Sequence, residues 1–414
     1  MSPDRRNILL VVILGLTLGG MYFLAIDSQA PQFTFTQQQN AYNGVAGSPY
    51  RYRVLVPVIL EGGMRIFGFV GSPQQAFQVA SLVCECLGFI FQLGMMYVFL
   101  RQFFQPMHAL VGVTFTAGMS VLTLAYFTYQ PWSILEVAFF ALGFLLAYRG
   151  KWVGLTAVVV LASLNRETGV FLPLAVLLAT LNDLRPFGLQ TLRRAAKRRE
   201  TYVAFGLVLL STAIFLGLRL VRGSAEPVDA LPDVIRRNLE RNNLIAAAMG
   251  IPLLLGFGWI FALLGFRGVC RYAPQGTSPR TEITQEGLHA RGTSPPGTES
   301  TPEGRHARGG LPRTELSSEE LHARGTSPRA ESTPGGFRAR GTSPPGTEST
   351  PEGLHPSGVC FLRRIARVVP FYLVAFAIWG WWREVRILTS LYPVLVPLVL
   401  AYCCSSRGTA RKPV

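Results

Sequence analysis

Charged residues, cysteine and histidine are scarce in this 414-residue sequence. Only 15% of the residues are charged, against about 25% in soluble globular proteins, and the mean hydropathy is +0.32. The six cysteines lie in or beside apolar segments, which gives no sign of a secreted disulfide framework. There is no phosphate-binding glycine loop followed by Lys-Ser/Thr, and no His-Glu-x-x-His motif. These absences argue against the common soluble enzyme classes and favour an all-α protein embedded in a membrane.

Long apolar runs fill most of the chain. A helix that crosses a hydrocarbon core of about 30 Å needs about 20 mostly apolar residues. Runs of roughly this length occupy residues 7–25, 77–100, 107–127, 132–148, 202–221, 244–266, 366–382 and 386–403.

A further apolar stretch, residues 152–181, has an awkward length. As one straight helix it would be about 45 Å long, and it is interrupted by Asn165, Arg166 and Glu167. It is either one steeply tilted helix or two short spans that turn at these polar residues. Cytoplasmic loops carry the excess of Lys and Arg, and only the two-span alternative places the basic segment 185–199 on that side. We therefore expect about ten transmembrane helices in a multi-pass protein of the cell (inner) membrane, with both termini cytoplasmic.

The positive net charge has the same explanation. Lys and Arg number 39 and Asp and Glu number 23, which leaves +16. With this topology most basic residues flank helices at their cytoplasmic ends, as the positive-inside rule requires. The charge is therefore not the footprint of a nucleic-acid partner, and we expect none.

The hydropathy collapses in residues 274–358, where a unit of roughly 16 residues recurs from His289, His306 and His322. These units offer little apolar surface to bury against one another. We expect a disordered cytoplasmic linker between two transmembrane modules, residues 1–273 with about eight helices and residues 359–414 with about two. A metal or partner tether through the histidines is the alternative, but single histidines so far apart in flexible chain make a poor metal site.

The first apolar run is either a signal peptide or a retained anchor. Its nineteen residues exceed the usual ~7–15 of a signal peptide, so we expect a retained helix followed by a long outer loop, residues 26–76. Within that loop, residues 54–70 carry Glu61 and Arg65 about one helical turn apart. This spacing indicates an amphipathic helix in the outer interface, with the two side chains free to pair with each other.

Several polar residues interrupt or border the apolar runs on the predicted outer side. Ionisable groups in a membrane are expensive, which makes them functional-site candidates. The candidates are Asp27, Arg51, Arg53, Glu136, Asn165, Arg166, Glu167, Glu384 and Arg386. Asp27 has an alternative interpretation as an ordinary loop residue, and Glu384 and Arg386 as interfacial anchors beside two tryptophans. We expect the candidates to share a polar pocket that opens to the outer face.

This architecture, with a few short motifs, resembles the GT-C-type integral membrane glycosyltransferases. The motifs are Asp27 directly after the first span, the segment Ala-Gly-Ser-Pro-Tyr-Arg-Tyr-Arg-Val-Leu-Val-Pro at 46–57, and the polar turns Asn165-Arg166-Glu167-Thr168 and Glu384-Val385-Arg386. In those enzymes the N-terminus is cytoplasmic, and the long first outer loop carries a catalytic acid and short interfacial helices. They often have paired acids in that loop, whereas Asp27 stands alone in its sequence neighbourhood.

The resemblance implies transfer of a sugar from a polyprenyl-phosphate donor to an acceptor at the extracytoplasmic face. Asp27 would be the general base. The donor phosphate would be bound by arginines drawn from Arg51, Arg53, Arg166 and Arg386. Glu136 or Glu167 would orient the acceptor or the arginines. No organic cofactor is implied, and dependence on a divalent metal is left open. The alternatives are a transporter or flippase for a lipid-linked or anionic solute, and a catalytically inactive scaffold of the same fold.

Overall fold

The computed structural model describes most of the apolar part of the chain, namely residues 3–47, 50–122, 132–181, 198–223, 236, 238–245, 248, 258–271, 356–379 and 385–409. Within these residues all regular secondary structure is helical. The chain divides into two units, one formed by residues 1–274 and 349–414 and the other by residues 275–348. The second unit lies outside the described residues, as does the predicted linker apart from its last three residues.

Most α-helices in the described part of the chain coincide with predicted helical segments, but two of them, Pro31–Tyr42 and Pro356–Ile365, were not predicted. The α-helices are α1 (Pro3–Tyr22), α2 (Pro31–Tyr42), α3 (Leu55–Ile66), α4 (Pro73–Leu100), α5 (Pro106–Leu122), α6 (Trp132–Tyr148), α7 (Trp152–Asn165), α8 (Phe171–Thr180), α9 (Arg199–Arg222), α10 (Gly258–Arg271), α11 (Pro356–Ile365), α12 (Val368–Trp379) and α13 (Tyr392–Thr409).

Three helical segments are long and apolar enough to cross a membrane: Asp4–Asp27, Pro73–Leu100 and Arg199–Arg222. They coincide with the predicted spans 7–25, 77–100 and 202–221. Their outward faces are apolar, as contact with lipid requires. The structure therefore shows an all-helical, membrane-associated bundle in its described part.

Glycines allow α1 and α4 to pack in close antiparallel contact. A Cβ at Gly15 would lie 2.8 Å from the Ile90 Cα, and one at Gly19 would lie 2.5 Å from the Cys86 Cα. Small residues spaced four apart let helix backbones approach within a membrane, where dispersion contacts replace the hydrophobic effect as the driving force. This contact carries the end of α1, with Asp27, to the N-terminal half of α4.

The amphipathic helix predicted within residues 54–70 is present as α3. Val56 and Leu60 are buried, whereas Ile66 is 69% exposed. Glu61 and Arg65 form the i,i+4 ion pair expected from their spacing, with Nε and Oε1 3.2 Å apart. This pair is at the surface, so it contributes little to stability.

The stretch 152–181 breaks into two helices at the predicted polar residues. α7 ends at Asn165, Arg166 is extended (φ −160°, ψ 152°), and a 3₁₀ turn, Glu167–Val170, leads into α8. A Cβ at Gly169 would lie 2.4 Å from the carbonyl oxygen of Ala162. That approach requires the chain to fold back on itself, so the two-helix interpretation is confirmed over the single tilted helix.

The position of this turn differs from the prediction. The Ser163 and Ser211 hydroxyls are 2.7 Å apart, and Ser211 is at the middle of α9. The turn is therefore level with the middle of α9 and not with its C-terminal end. The reason is length: α7 spans only about 21 Å at 1.5 Å per residue, less than the ~30 Å hydrocarbon core. We call α7, the turn and α8 the re-entrant hairpin, because the chain folds back on itself before either helix reaches the length of a crossing.

The C-terminal part contains one helix that was not predicted. α12 lies within the predicted span 366–382, but it is preceded by α11, whose Leu362 and Ile365 are buried in the bundle. Phe361 stacks on Phe103, with ring centroids 6.2 Å apart. α11 is short and amphipathic, and it ends with two arginines. It therefore lacks the long apolar run that marks a span, and its residues were assigned to a loop.

α10 runs antiparallel to α13. Phe261 stacks on Tyr402 at 5.6 Å, and Gly265 packs against the backbone of Leu398. The predicted topology sends spans 244–266 and 386–403 in the same direction, so it is wrong at α10. The prediction assigned its basic residues to a following loop, whereas α10 extends to Arg271 and includes them in the helix.

Candidate functional site

Asp27 lies in an irregular turn that continues α1. This π-helical turn, Phe23–Asp27, follows directly after Tyr22. Such turns are rare and often occur at functional positions. The Asp27 side chain is 0% exposed, and Ser81 of α4 donates a short hydrogen bond to its Oδ2. The predicted catalytic acid is therefore buried between two helices and is not an ordinary loop residue.

Glu85 is a second acid at this position, and sequence reasoning missed it. It is one helical turn beyond Ser81, so both face α1. The Ser81 Oγ lies 3.4 Å from Glu85 Oε1, and the Glu85 side chain is 2% exposed. Asp27 stands alone in its sequence neighbourhood, but the fold brings a second acid from a distant segment close to it. An ionisable residue inside the run 77–100 was the signal that could have revealed Glu85.

We call Asp27, Ser81 and Glu85 the acid cluster. Among the described residues, no Lys, Arg or His forms an ion pair with either carboxyl group. Asp27 Oδ1 and Glu85 Oε2 are buried without a hydrogen-bond partner. Burying carboxyl oxygens without partners costs free energy, so this cluster is incomplete as a structural element.

A second set of polar residues forms around the re-entrant turn. Arg166 Nη1 donates to Glu136 Oε2 at 3.0 Å and to Ser133 Oγ at 2.9 Å. Thr168 donates a short hydrogen bond to the other Glu136 oxygen. Both members of the ion pair are about 2% exposed. Arg166 at the helix break and Glu136 near the start of α6 thus form a buried ion pair, to which Thr168 adds a hydrogen bond.

The first outer loop adds Arg53 to this set. Its Nε donates to Glu167 Oε2 at 3.2 Å, and its guanidinium lies 5.0 Å from the ring centroid of Tyr50. The backbone N–H of Val54 donates to the Leu164 carbonyl at 2.9 Å. The loop is therefore attached directly to the end of α7. We call Arg53, Glu136, Arg166, Glu167 and Thr168 the arginine cluster.

α12 closes the arginine cluster on a further side. Tyr372 is buried beside Glu136 and Thr168, its ring centroid is 4.5 Å from that of Phe171, and its hydroxyl accepts a hydrogen bond from Ser390. Neither Tyr372 nor Ser390 was predicted, because uncharged residues within apolar runs carry no sequence signal.

The remaining candidates have different positions. Asn165 is buried directly before the turn. Arg51 lies elsewhere: its Nε donates to the Ala46 carbonyl at 3.3 Å, and its own carbonyl accepts from Arg222 of α9 at 2.6 Å. Arg51 thus joins the first loop to the end of α9. Glu384 and the side chain of Arg386 lie outside the described residues.

The two clusters lie at a similar depth. The C-terminal ends of α4 and α6 meet, since the rings of Phe103 and Tyr148 are 5.2 Å apart there. Glu85 lies about 22 Å from that end of α4, and Glu136 about 18 Å from that end of α6, at 1.5 Å per residue. The acids and arginines therefore lie at a similar depth, in one layer of the bundle. The first loop leaves this layer at Asp27 and comes back to it at Arg53.

This arrangement limits what the site can bind. Arg53 and Arg166 each face a carboxylate, so an incoming phosphate would have to share or displace that partner. The acid cluster offers only carboxyl and hydroxyl oxygens. No group of three or more His, Cys, Asp or Glu side chains that could hold a metal occurs among the described residues. No protein family, curated protein or solved structure matches this chain, so its function has to be argued from these two clusters.

Proposed function

We propose that this chain is an integral membrane glycosyltransferase. It would move a sugar from a polyprenyl-phosphate donor to an acceptor at the extracytoplasmic face of the cell (inner) membrane. The observation that carries the proposal is that a buried acid, Asp27, lies at a similar depth in the bundle to a second buried set that contains Arg53 and Arg166. Buried ionisable residues inside a membrane bundle mark functional sites, because their cost has to be offset by a role.

The proposed chemistry uses the two clusters separately. Asp27 takes the proton from the acceptor hydroxyl, whose oxygen attacks the anomeric carbon. The bond between that carbon and the phosphate oxygen breaks, and the lipid phosphate leaves with the negative charge. Arg53 and Arg166 stabilise this charge, since a guanidinium donates two parallel hydrogen bonds to phosphate and stays protonated.

The carboxylates of the arginine cluster then act on the arginines. Glu136 and Glu167 hold Arg166 and Arg53 in position before the donor arrives. Preorganised charges avoid a reorganisation cost during the reaction. The proposal includes a GT-C-like fold with about ten transmembrane helices and cytoplasmic termini.

The test is a transfer assay on reconstituted protein with a panel of polyprenyl-phosphate sugars, scored by release of lipid phosphate. We expect release with at least one donor, and a fall of at least about 100-fold in Asp27→Asn. Arg65→Gln is the matched control, because Arg65 is exposed and outside both clusters. Release at the wild-type rate by Asp27→Asn would overturn the assignment of the base.

A transporter or flippase for a lipid-linked or anionic solute is a second candidate, favoured by the re-entrant hairpin. Interrupted helices that end near the middle of the membrane form substrate sites in many transporters, and the α7–α8 turn is level with the middle of α9. Proteoliposomes with a fluorescent lipid-linked sugar separate the two. Movement of intact lipid between leaflets, without loss of sugar, would favour transport over transfer.

A further inference from the structure

We propose that the acid cluster is a binding site for one divalent cation. Two carboxylates and one hydroxyl converge there from α1 and α4. Oxygen donors of this kind suit hard cations such as Mg²⁺, Mn²⁺ and Ca²⁺. Mg²⁺ in particular is commonly held by one or two carboxylates, with its other positions filled by water or by substrate phosphate.

The unpartnered oxygens are the observation that points to a ligand. Asp27 is 0% exposed and Glu85 2% exposed. Each has one carboxyl oxygen without a hydrogen-bond partner, Oδ1 and Oε2 respectively. The Ser81 hydroxyl has a single proton, so it cannot satisfy both acids fully. Native interiors rarely leave such atoms unmatched, and one cation between the two carboxylates would satisfy both oxygens.

Charge balance points to the same occupant. The two carboxyl groups lie side by side and have no basic partner among the described residues. The arginine cluster differs in this respect, since its buried Glu136 and its partly buried Glu167 are each paired with an arginine. A proton shared between Asp27 and Glu85 would join the two carboxyl groups, but it would neutralise only one of their two negative charges. A divalent cation would neutralise both charges.

Cation binding does not depend on the proposed function, but its use in catalysis would. A cation at Asp27 would lie at about the depth of the arginine cluster, where the donor phosphate is proposed to bind. In that case Asp27 and Glu85 would hold the cation, and the cation would add positive charge beside the departing phosphate. Failure to bind metal would leave the transfer assay unaffected, so the two proposals fail separately.

The test measures binding of Mn²⁺ alone to the full-length, detergent-purified chain by electron paramagnetic resonance. We expect about one bound ion per chain, competed by Mg²⁺. Asp27→Asn and Glu85→Gln each remove one of the two carboxylates, and we expect each to weaken binding at least about tenfold. Glu61→Gln is the matched control, since it removes an equal charge at the surface, and we expect wild-type binding from it.

A second measurement distinguishes the loss of metal binding from misfolding of the variants. Addition of Mg²⁺ should raise the midpoint of thermal unfolding of the wild type, because a ligand that binds only the folded state stabilises it. The same addition should leave the midpoint of folded Glu85→Gln unchanged. Absence of Mn²⁺ binding to the folded wild type would overturn the proposal, as would equal binding by wild type and Glu85→Gln.

Discussion

The acid cluster and the arginine cluster lie at one depth of the bundle, yet they handle buried charge in opposite ways. In the arginine cluster Glu136 and Glu167 each face an arginine. In the acid cluster Asp27 and Glu85 share one serine and have no basic partner in the described structure. A paired charge can serve stability and positioning at once. An unpaired one costs stability, so it calls for a ligand or a chemical role.

The largest expected effect comes from breaking a pair in the arginine cluster. Arg166→Met leaves Glu136 buried without its cation, and we expect a loss of about 3–5 kcal/mol in the free energy of unfolding. The measurement is denaturation of the purified protein in detergent. Adding Glu136→Gln to this variant should restore part of the loss. If Arg166→Met is as stable as the wild type, the ion pair does not contribute to stability. That result would contradict the contrast drawn between the two clusters.

The packing of α1 on α4 can be broken without touching the arginine cluster. Gly19→Leu places side-chain atoms where the α4 backbone lies, since even a Cβ would be 2.5 Å from the Cys86 Cα. We expect a loss of about 1–3 kcal/mol and separation of Asp27 from Glu85. Gly20→Leu is the control, because nothing lies within 4 Å of a Cβ there. Equal thermal unfolding midpoints for the two variants would contradict this contact.

Removing a carboxylate from the acid cluster should raise the stability of the protein, whereas removing one from the arginine cluster should lower it. In metal-free buffer, Glu85→Gln removes a buried carboxylate that has no basic partner, and we expect stability to rise by up to about 1 kcal/mol. Glu136→Gln in the arginine cluster should instead lower it. Comparison of the two unfolding midpoints checks this prediction, and a destabilised Glu85→Gln would show that the glutamate has a partner.

The smallest effect tests the depth of the re-entrant hairpin. Ser163→Ala removes the hydrogen bond to Ser211 of α9, and we expect a loss of about 0.6 kcal/mol, as for similar bonds between membrane helices. A double-mutant cycle with Ser211→Ala should recover this value as a coupling energy. Zero coupling would place the hairpin at another level of α9.

Most of the arginine cluster was predicted from the sequence, whereas Asp27 was the one predicted member of the acid cluster. Arg166 and Glu167 stand out in an apolar stretch, and Glu136 interrupts the next run, so the cost of burying them marks them in the sequence. Arg53 was found through its motif. Tyr372 and Ser390 were missed, because a hydroxyl in an apolar run is common and cheap. Glu85 was detectable by the criterion that found Glu136.

The sequence by itself determined most of the segments that become helices and the break at Asn165, because hydropathy and helix-breaking polar residues act over a few neighbouring positions. Only the tertiary structure decided that Asp27 has Glu85 beside it, that the α7–α8 turn stops level with the middle of α9, and that α10 runs against α13. Each of these depends on which side chains of distant segments come into contact. Gly19 against Cys86, and Ser163 against Ser211, are contacts that packing selects and that no local pattern specifies.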